Sequence, residues 1–173
     1  KADYQFDPRT RNGYKQALST DGLYVSAPYL FASSQEVGSS FATKADNGIA
    51  VAGVDITLRS INDLLRKSTV TANTRLALIN AQGDVLSSEL GAIEMVPTED
   101  AKGRLPSLSE LDLPMLNKLV NQTPAGAFGV WTFNDPKGAT WEGGAFALPT
   151  AKGVLTLWIA TPHAELLAGA YAS

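Results

Sequence analysis

A change of hydrophobic period at Thr57 constrains this chain more than any other feature. Upstream, Ile49-Ala50-Val51-Ala52-Gly53-Val54-Asp55 is a nearly unbroken apolar run of strand length. Downstream, Leu58, Ile61, Leu64 and Leu65 recur at helical spacing, with Arg59, Asn62, Asp63 and Arg66 on the other face. The first pattern reads as a buried strand and the second as an amphipathic helix. Asp46-Asn47-Gly48 precedes the run, and Asn and Gly tolerate the positive φ of tight turns. Residues 37–55 are therefore predicted as a β-hairpin leading into a helix over 57–67, with Thr57 as a candidate N-cap.

The flanking segments follow the same logic. Residues 1–22 are polar and rich in turn signals, Asp7-Pro8 and Asn12-Gly13 among them, with a short helix predicted at 14–18. Residues 23–26 read as a strand that stops at Pro28. Beyond the central helix, strands at 75–80 and 85–88 flank the turn Ala81-Gln82-Gly83-Asp84. A loop over 89–107 leads to a helix over 109–121, with Leu113, Leu116, Leu119 and Val120 facing inward and Pro114 suited to its first turn. Strands at 126–134, 139–148 and 154–160 follow, separated by Asp135-Pro136-Lys137-Gly138 and by a turn at 149–153. A last helix starts near Thr161-Pro162. Hairpin, helix and antiparallel meander make an α+β order.

Composition excludes several functions. Charged residues are 18% of the 173, and the formal net charge is -3 with scattered signs. Such a chain has no basic face for nucleic acid, and no Lys or Arg run for a membrane surface. Cysteine is absent, which removes thiol catalysis, disulfides and most structural zinc sites. His163 is the one histidine, so metal sites built from several imidazoles are excluded. No cofactor or metal is predicted. Signatures of the common hydrolases, nucleotide-binding enzymes and zinc proteases are absent, and Glu99-Asp100 reads as a solvated loop pair, so no enzyme is predicted. Neither a signal peptide nor an apolar stretch of membrane-spanning length occurs. The opening Lys1-Ala2-Asp3-Tyr4 reads as the start of an expressed or processed fragment.

Four motifs stand in a recognisable order. Asp7-Pro8-Arg9-Thr10-Arg11-Asn12-Gly13-Tyr14 resembles the R-x-W-Y signature that precedes a short helix in double Cache sensor domains. Val25-Ser26-Ala27-Pro28-Tyr29 resembles that family's strand ending in Pro-Tyr. Val51-Ala52-Gly53-Val54-Asp55-Ile56 resembles the strand that closes its membrane-distal module. Leu78-Ile79-Asn80-Ala81-Gln82-Gly83-Asp84-Val85-Leu86 resembles the opening hairpin of its membrane-proximal module. The resemblance implies PAS-like antiparallel sheets flanked by helices, in two Cache modules. Residues 1–56 would form a membrane-distal module truncated at its N-terminus, 57–72 a connecting helix, 73–162 the membrane-proximal module, and 163–173 a helix leading toward a membrane span. It further implies an extracytoplasmic sensor of a bacterial receptor, anchored in the inner membrane and capable of homodimerising. Its partner would be a small ligand: an amino acid, amine or carboxylate. The alternative is a structural or dimerisation module with no ligand.

In amino-acid-binding members of the family, the signature Arg and a Tyr hold the ligand carboxylate, while the strand-end Asp and the Pro-Tyr tyrosine hold its amino group. The resemblance carries these roles to Arg11, Tyr14, Tyr29 and Asp55. The chain departs from the signature at Gly13, where the family has Trp, losing an aromatic wall and a donor. Each residue also has a plainer reading. Arg11 can pair with Asp7 or Asp3, Asp55 can cap near Thr57, and Tyr14 and Tyr29 can serve packing alone. Trp131, Trp141 and Trp158 fall on three successive strands and read as core or sheet-face residues. Glu165 reads as a first-turn acid favoured by the helix dipole.

Overall fold

The computed structural model describes residues 7–91, 93–99, 103–124 and 127–171. The backbone divides into two compact units. One comprises the chain up to residue 57 together with 149–153; the other comprises 58–148 and the chain from 154.

The first unit contains helix α1 (Asn12–Ser19) and strands β1 (Tyr24–Val25), β2 (Tyr29–Leu30), β3 (Val37–Lys44) and β4 (Val51–Thr57). All pairing is antiparallel and centred on β3. β4 runs along one edge of β3, while β1 and β2 pair with successive stretches of the other. Pro28 has no N–H to give the ladder and separates the two short strands. Across that gap, Ser26 N–H donates to the Ser40 carbonyl and Ser40 N–H to Ser26 Oγ, both at 2.9 Å. The predicted strand at 23–26 therefore resumes at Tyr29, which the sequence reading missed. Asn12-Gly13, read as a turn, instead opens α1.

The predicted hairpin forms, with Gly48 at φ +70° and Asn47 Oδ1 accepting the Ile49 N–H at 3.0 Å. Its second strand is not buried, however. Ile49 belongs to the turn and is 80% exposed, and residues 52–55 are exposed. β4 pairs with β3 alone, and only Val51 packs against the small core of Ala17, Tyr24 and Ala42.

The second unit holds α2 (Leu58–Lys67), β5 (Arg75–Ile79), β6 (Val85–Ser88), a 3-10 turn (Leu108–Glu110), α3 (Pro114–Gln122), β7 (Gly129–Asn134), β8 (Thr140–Thr150), β9 (Gly153–Pro162) and α4 (His163–Tyr171). Its sheet runs β6-β5-β9-β8-β7. Leu113, Leu116 and Leu119 project from the α3 segment onto Ala77, Ile79, Val85, Ala145 and Trp158, all buried. Trp131 and Trp141 pack against the same core, as expected of sheet-face aromatics. The helix predicted over 109–121 begins only at Pro114, after the 3-10 turn capped by Ser107 and Glu110. In α2 two residues exchange faces. Asn62 is buried at 2%, and Leu64 is 63% exposed. Leu58, Asn62 and Leu65 form the buried stripe, and the Asn62 amide oxygen accepts the Ser87 hydroxyl and the Ser88 N–H. Among the described residues, no helix is long and apolar enough to cross a membrane.

Candidate ligand-binding site

The β3–β4 register sets Ser40 opposite Asp55 and Ala42 opposite Gly53, and β1 sets Tyr24 opposite Ala42 from the other side. Side chains alternate along a strand, so these residues share one face of the sheet. Helix α1 covers part of that face, with Ala17 packed against Tyr24 and Ala42. Beside this contact, the first turn of α1 and the uncovered part of the sheet enclose a cleft of about 670 Å³. Arg11 and Tyr14 line it from the helix start, and Tyr29 and Asp55 from the sheet. The four residues singled out in the sequence thus meet in one concavity within the first unit.

The sheet side of the cleft is organised by a residue the sequence reading missed. Ser40 Oγ donates to Asp55 Oδ1 and lies 2.7 Å from the Tyr29 hydroxyl. Because the Ser40 proton is committed to the carboxylate, Tyr29 is the donor to Ser40. The Tyr29 ring meets buried Phe31 edge-on at 5.0 Å. Phe31 in turn fills the space above Gly38, where a Cβ would stand 2.4 Å from the ring. The hairpin turn carried the signal for Ser40. Ser40 stands opposite Asp55 and Lys44 opposite Val51, so the ladder is symmetric about the Asn47–Gly48 bond.

Asp55 faces the cleft and bonds Ser40. Asp7 is held by Arg9 through contacts of 2.8–3.1 Å, which draw its carboxyl below the usual carboxylate range. Asp3 lies outside the described residues. Gly13 lines the cleft, and among the described residues a Cβ there would meet nothing within 4 Å.

Lys152 was also missed, and no sequence pattern joins it to the cleft. It sits in the β8–β9 turn, which belongs to the first unit. Ala151 N–H donates to the Leu23 carbonyl at 2.7 Å, fixing the turn beside β1. The Lys152 ammonium then lies 5.2 Å from the centroid of the Tyr24 ring, a cation–π contact at the cleft wall. Burial pushes the Tyr24 hydroxyl pKa up. In the second unit His163 Nδ1 lies 2.8 Å from Glu142 Oε1. Glu165, in the first turn of α4, accepts from the Asn73 backbone and side chain, which holds its carboxyl pKa down. Glu99 is exposed, and Asp100 lies outside the described residues.

No model of a known protein family matches the sequence. The methyl-accepting chemotaxis protein PscA of Pseudomonas syringae pv. tomato is 38% identical over 88 residues, which are 49% of this chain and 14% of that protein. The ligand-binding domain of the amino acid chemoreceptor PctB of Pseudomonas aeruginosa, solved with L-Arg, superposes with a TM-score of 0.52 at 20% identity, covering 97% of this chain and 66% of that one. That of the Pseudomonas fluorescens chemoreceptor CtaA, solved with L-isoleucine, gives 0.50 at 20% identity, covering 98% and 64%. The chain has the fold of a Cache-type sensor domain. Numbered within the second unit, the sheet order is 2-1-5-4-3, with the helices carrying the core side chains against it, and this is the PAS-like arrangement the sequence implies. The chain spans about two thirds of the length of these solved domains and a small part of the chemotaxis protein.

Proposed function

We propose that this chain is the ligand-binding sensor domain of a bacterial transmembrane receptor, with an α-amino acid in the cleft of its first unit. One observation carries the reading: Arg11, Tyr14, Tyr29 and Asp55, far apart in sequence, line a single cavity. A guanidinium matches a carboxylate with two parallel hydrogen bonds. A carboxylate and tyrosine faces suit an ammonium. The cleft of about 670 Å³ lies within the range of small-molecule sites. Each charge-assisted bond contributes roughly 1.5–3 kcal/mol. Three or four such bonds reach the ~8 kcal/mol of micromolar affinity.

In this reading residues 1–56 belong to a membrane-distal module, 57–72 to a connecting helix, 73–162 to a proximal module, and 163–173 to a helix leading toward the membrane. The domain faces the periplasm and has no enzymatic role of its own. Binding transmits a signal by favouring one of two conformations, which requires the ligand to bind that conformation better. Kinship with solved amino acid chemoreceptor domains supports the ligand class. The departure at Gly13, which takes an aromatic wall and a donor from the cleft, favours the rival reading, a structural or dimerisation module with no small-molecule site.

Titration calorimetry of the purified chain against the standard amino acids separates the two. At least one amino acid is expected to bind with micromolar affinity, weakened about 30-fold or more by Arg11→Ala, the loss of a bidentate charge-assisted pair. Absence of binding by every amino acid, or full affinity in Arg11→Ala, sinks the sensor reading of this cleft.

A further inference from the structure

Among the described residues, the cleft is lined by two cations, Arg11 and Lys152, and one carboxylate, Asp55. An α-amino acid presents one carboxylate and one ammonium. In the proposed reading Arg11 and Asp55 answer these, and a second positive charge remains. Among the described residues, the Lys152 ammonium has no carboxylate partner and rests on the Tyr24 ring. It is also positioned rather than loose. The Ala151 N–H bond to Leu23 ties the turn to β1, and Thr150 Oγ accepts the Lys152 N–H at 3.3 Å.

The register puts this charge away from Asp55. Tyr24 pairs with Ala42, and Asp55 with Ser40 on the opposite edge of β3. That separates them by one pleat along the strand, about 7 Å, and by two strand spacings across it, about 10 Å. The cleft therefore has an anionic end at Asp55 and a cationic wall at Tyr24. Gly53, on the same face, adds no side chain between them; a Cβ there would meet only Ala42 and a backbone carbonyl, both at 3.5 Å.

We infer that Lys152 reads a second anionic group, so that the cleft prefers an α-amino acid whose side chain ends in a carboxylate over its neutral amide counterpart. The inference rests on the amino-acid reading of the same cleft and adds the ligand class and the residue that selects it. A neutral side-chain amide offers Lys152 an acceptor without a charge. Amide and acid both accept from the ammonium, but only the acid brings an opposite charge, so only the acid adds an ion pair to the hydrogen bond.

The test is calorimetry with L-glutamate, L-glutamine, L-aspartate and L-asparagine on the unaltered chain, Lys152→Gln and Lys152→Arg. Because Lys152 is an exposed turn residue, both variants should keep the parent circular dichroism spectrum and melting temperature. The unaltered chain should bind at least one acid about tenfold or more tightly than its amide, the effect of adding the opposite charge at Lys152. Lys152→Gln should bring that pair within about threefold, chiefly by weakening the acid, and Lys152→Arg should keep most of the preference. Equal binding of acid and amide, or binding of other neutral amino acids alone, overturns this inference and leaves the sensor reading intact. A preference that survives in Lys152→Gln removes the role from Lys152. Failure of every amino acid to bind overturns both.

Discussion

The two units differ in how they use their interior. The second closes a five-stranded sheet over Leu113, Leu116, Leu119, Val85 and Trp158. The first is held by Ala17, Tyr24 and Ala42, with Phe31 buried under Tyr29, and the rest of its sheet face opens into a cleft. Room for a small molecule exists because a core was left unfilled there. What a filled core does for one unit, the ligand proposed above would do for the other. Ligand that binds only the folded form at a hundred times its Kd contributes about 2.7 kcal/mol of stability.

The largest expected effect lies in the packed unit. Leu116 is fully buried, and Leu116→Ala removes its methyl groups and leaves a cavity. A loss of about 2–5 kcal/mol is expected from urea unfolding, with ligand affinity in the folded variant within about twofold of the parent. A variant that unfolds no more easily would break the contrast, because the leucine core would then be as dispensable as an open face.

A smaller and opposite effect is expected at Ser40. Ser40→Ala removes the link between Tyr29 and Asp55, and Asp55 is exposed, so no buried charge is orphaned. Ligand affinity should fall about tenfold, near 1.4 kcal/mol. The melting temperature should change by no more than about 2 °C. Calorimetry alongside a thermal melt reads both. Destabilisation on the scale of Leu116→Ala would mean that the polar chain holds the sheet together rather than preparing the cleft.

The same contrast explains what could be read from the sequence. Turn chemistry at Asp46-Asn47-Gly48 and the period change at Thr57 report local geometry, and the hairpin and α2 follow from them. Burial depends on what covers a face, which local pattern does not encode. The apolar run at β4 therefore looked buried although Ala52 to Asp55 are exposed. Leu64 looked internal for the same reason, while Asn62 was buried by hydrogen bonds that Ser87 and Ser88 supply from β6. Arg11, Tyr14, Tyr29 and Asp55 came from motif likeness, and Ser40 was within reach by counting back from the turn. Lys152 was not, since nothing near it in sequence tells that its turn lies against β1.

The smallest expected effect concerns charge inside the packed unit. The Glu89 side chain is only 7% exposed. Its Oε2 accepts the Leu76 N–H at 2.8 Å, while Oε1 lacks a hydrogen bond and lies 3.7 Å from Arg75 Nε. Burial raises its pKa; the backbone donors and Arg75 oppose the rise without cancelling it. The folded chain therefore holds this proton more tightly than the unfolded chain does. The stability this gives is fully present below the unfolded pKa, about 4.5, and is lost as pH rises through the folded value. Glu89→Gln stays neutral throughout, so it should gain stability relative to the parent as pH rises from about 4.5 toward neutrality, seen as a growing difference in urea midpoints. A difference that stays flat with pH would show that the Arg75 contact fully compensates the burial, and that the tightly packed unit tolerates charge as readily as the open cleft does.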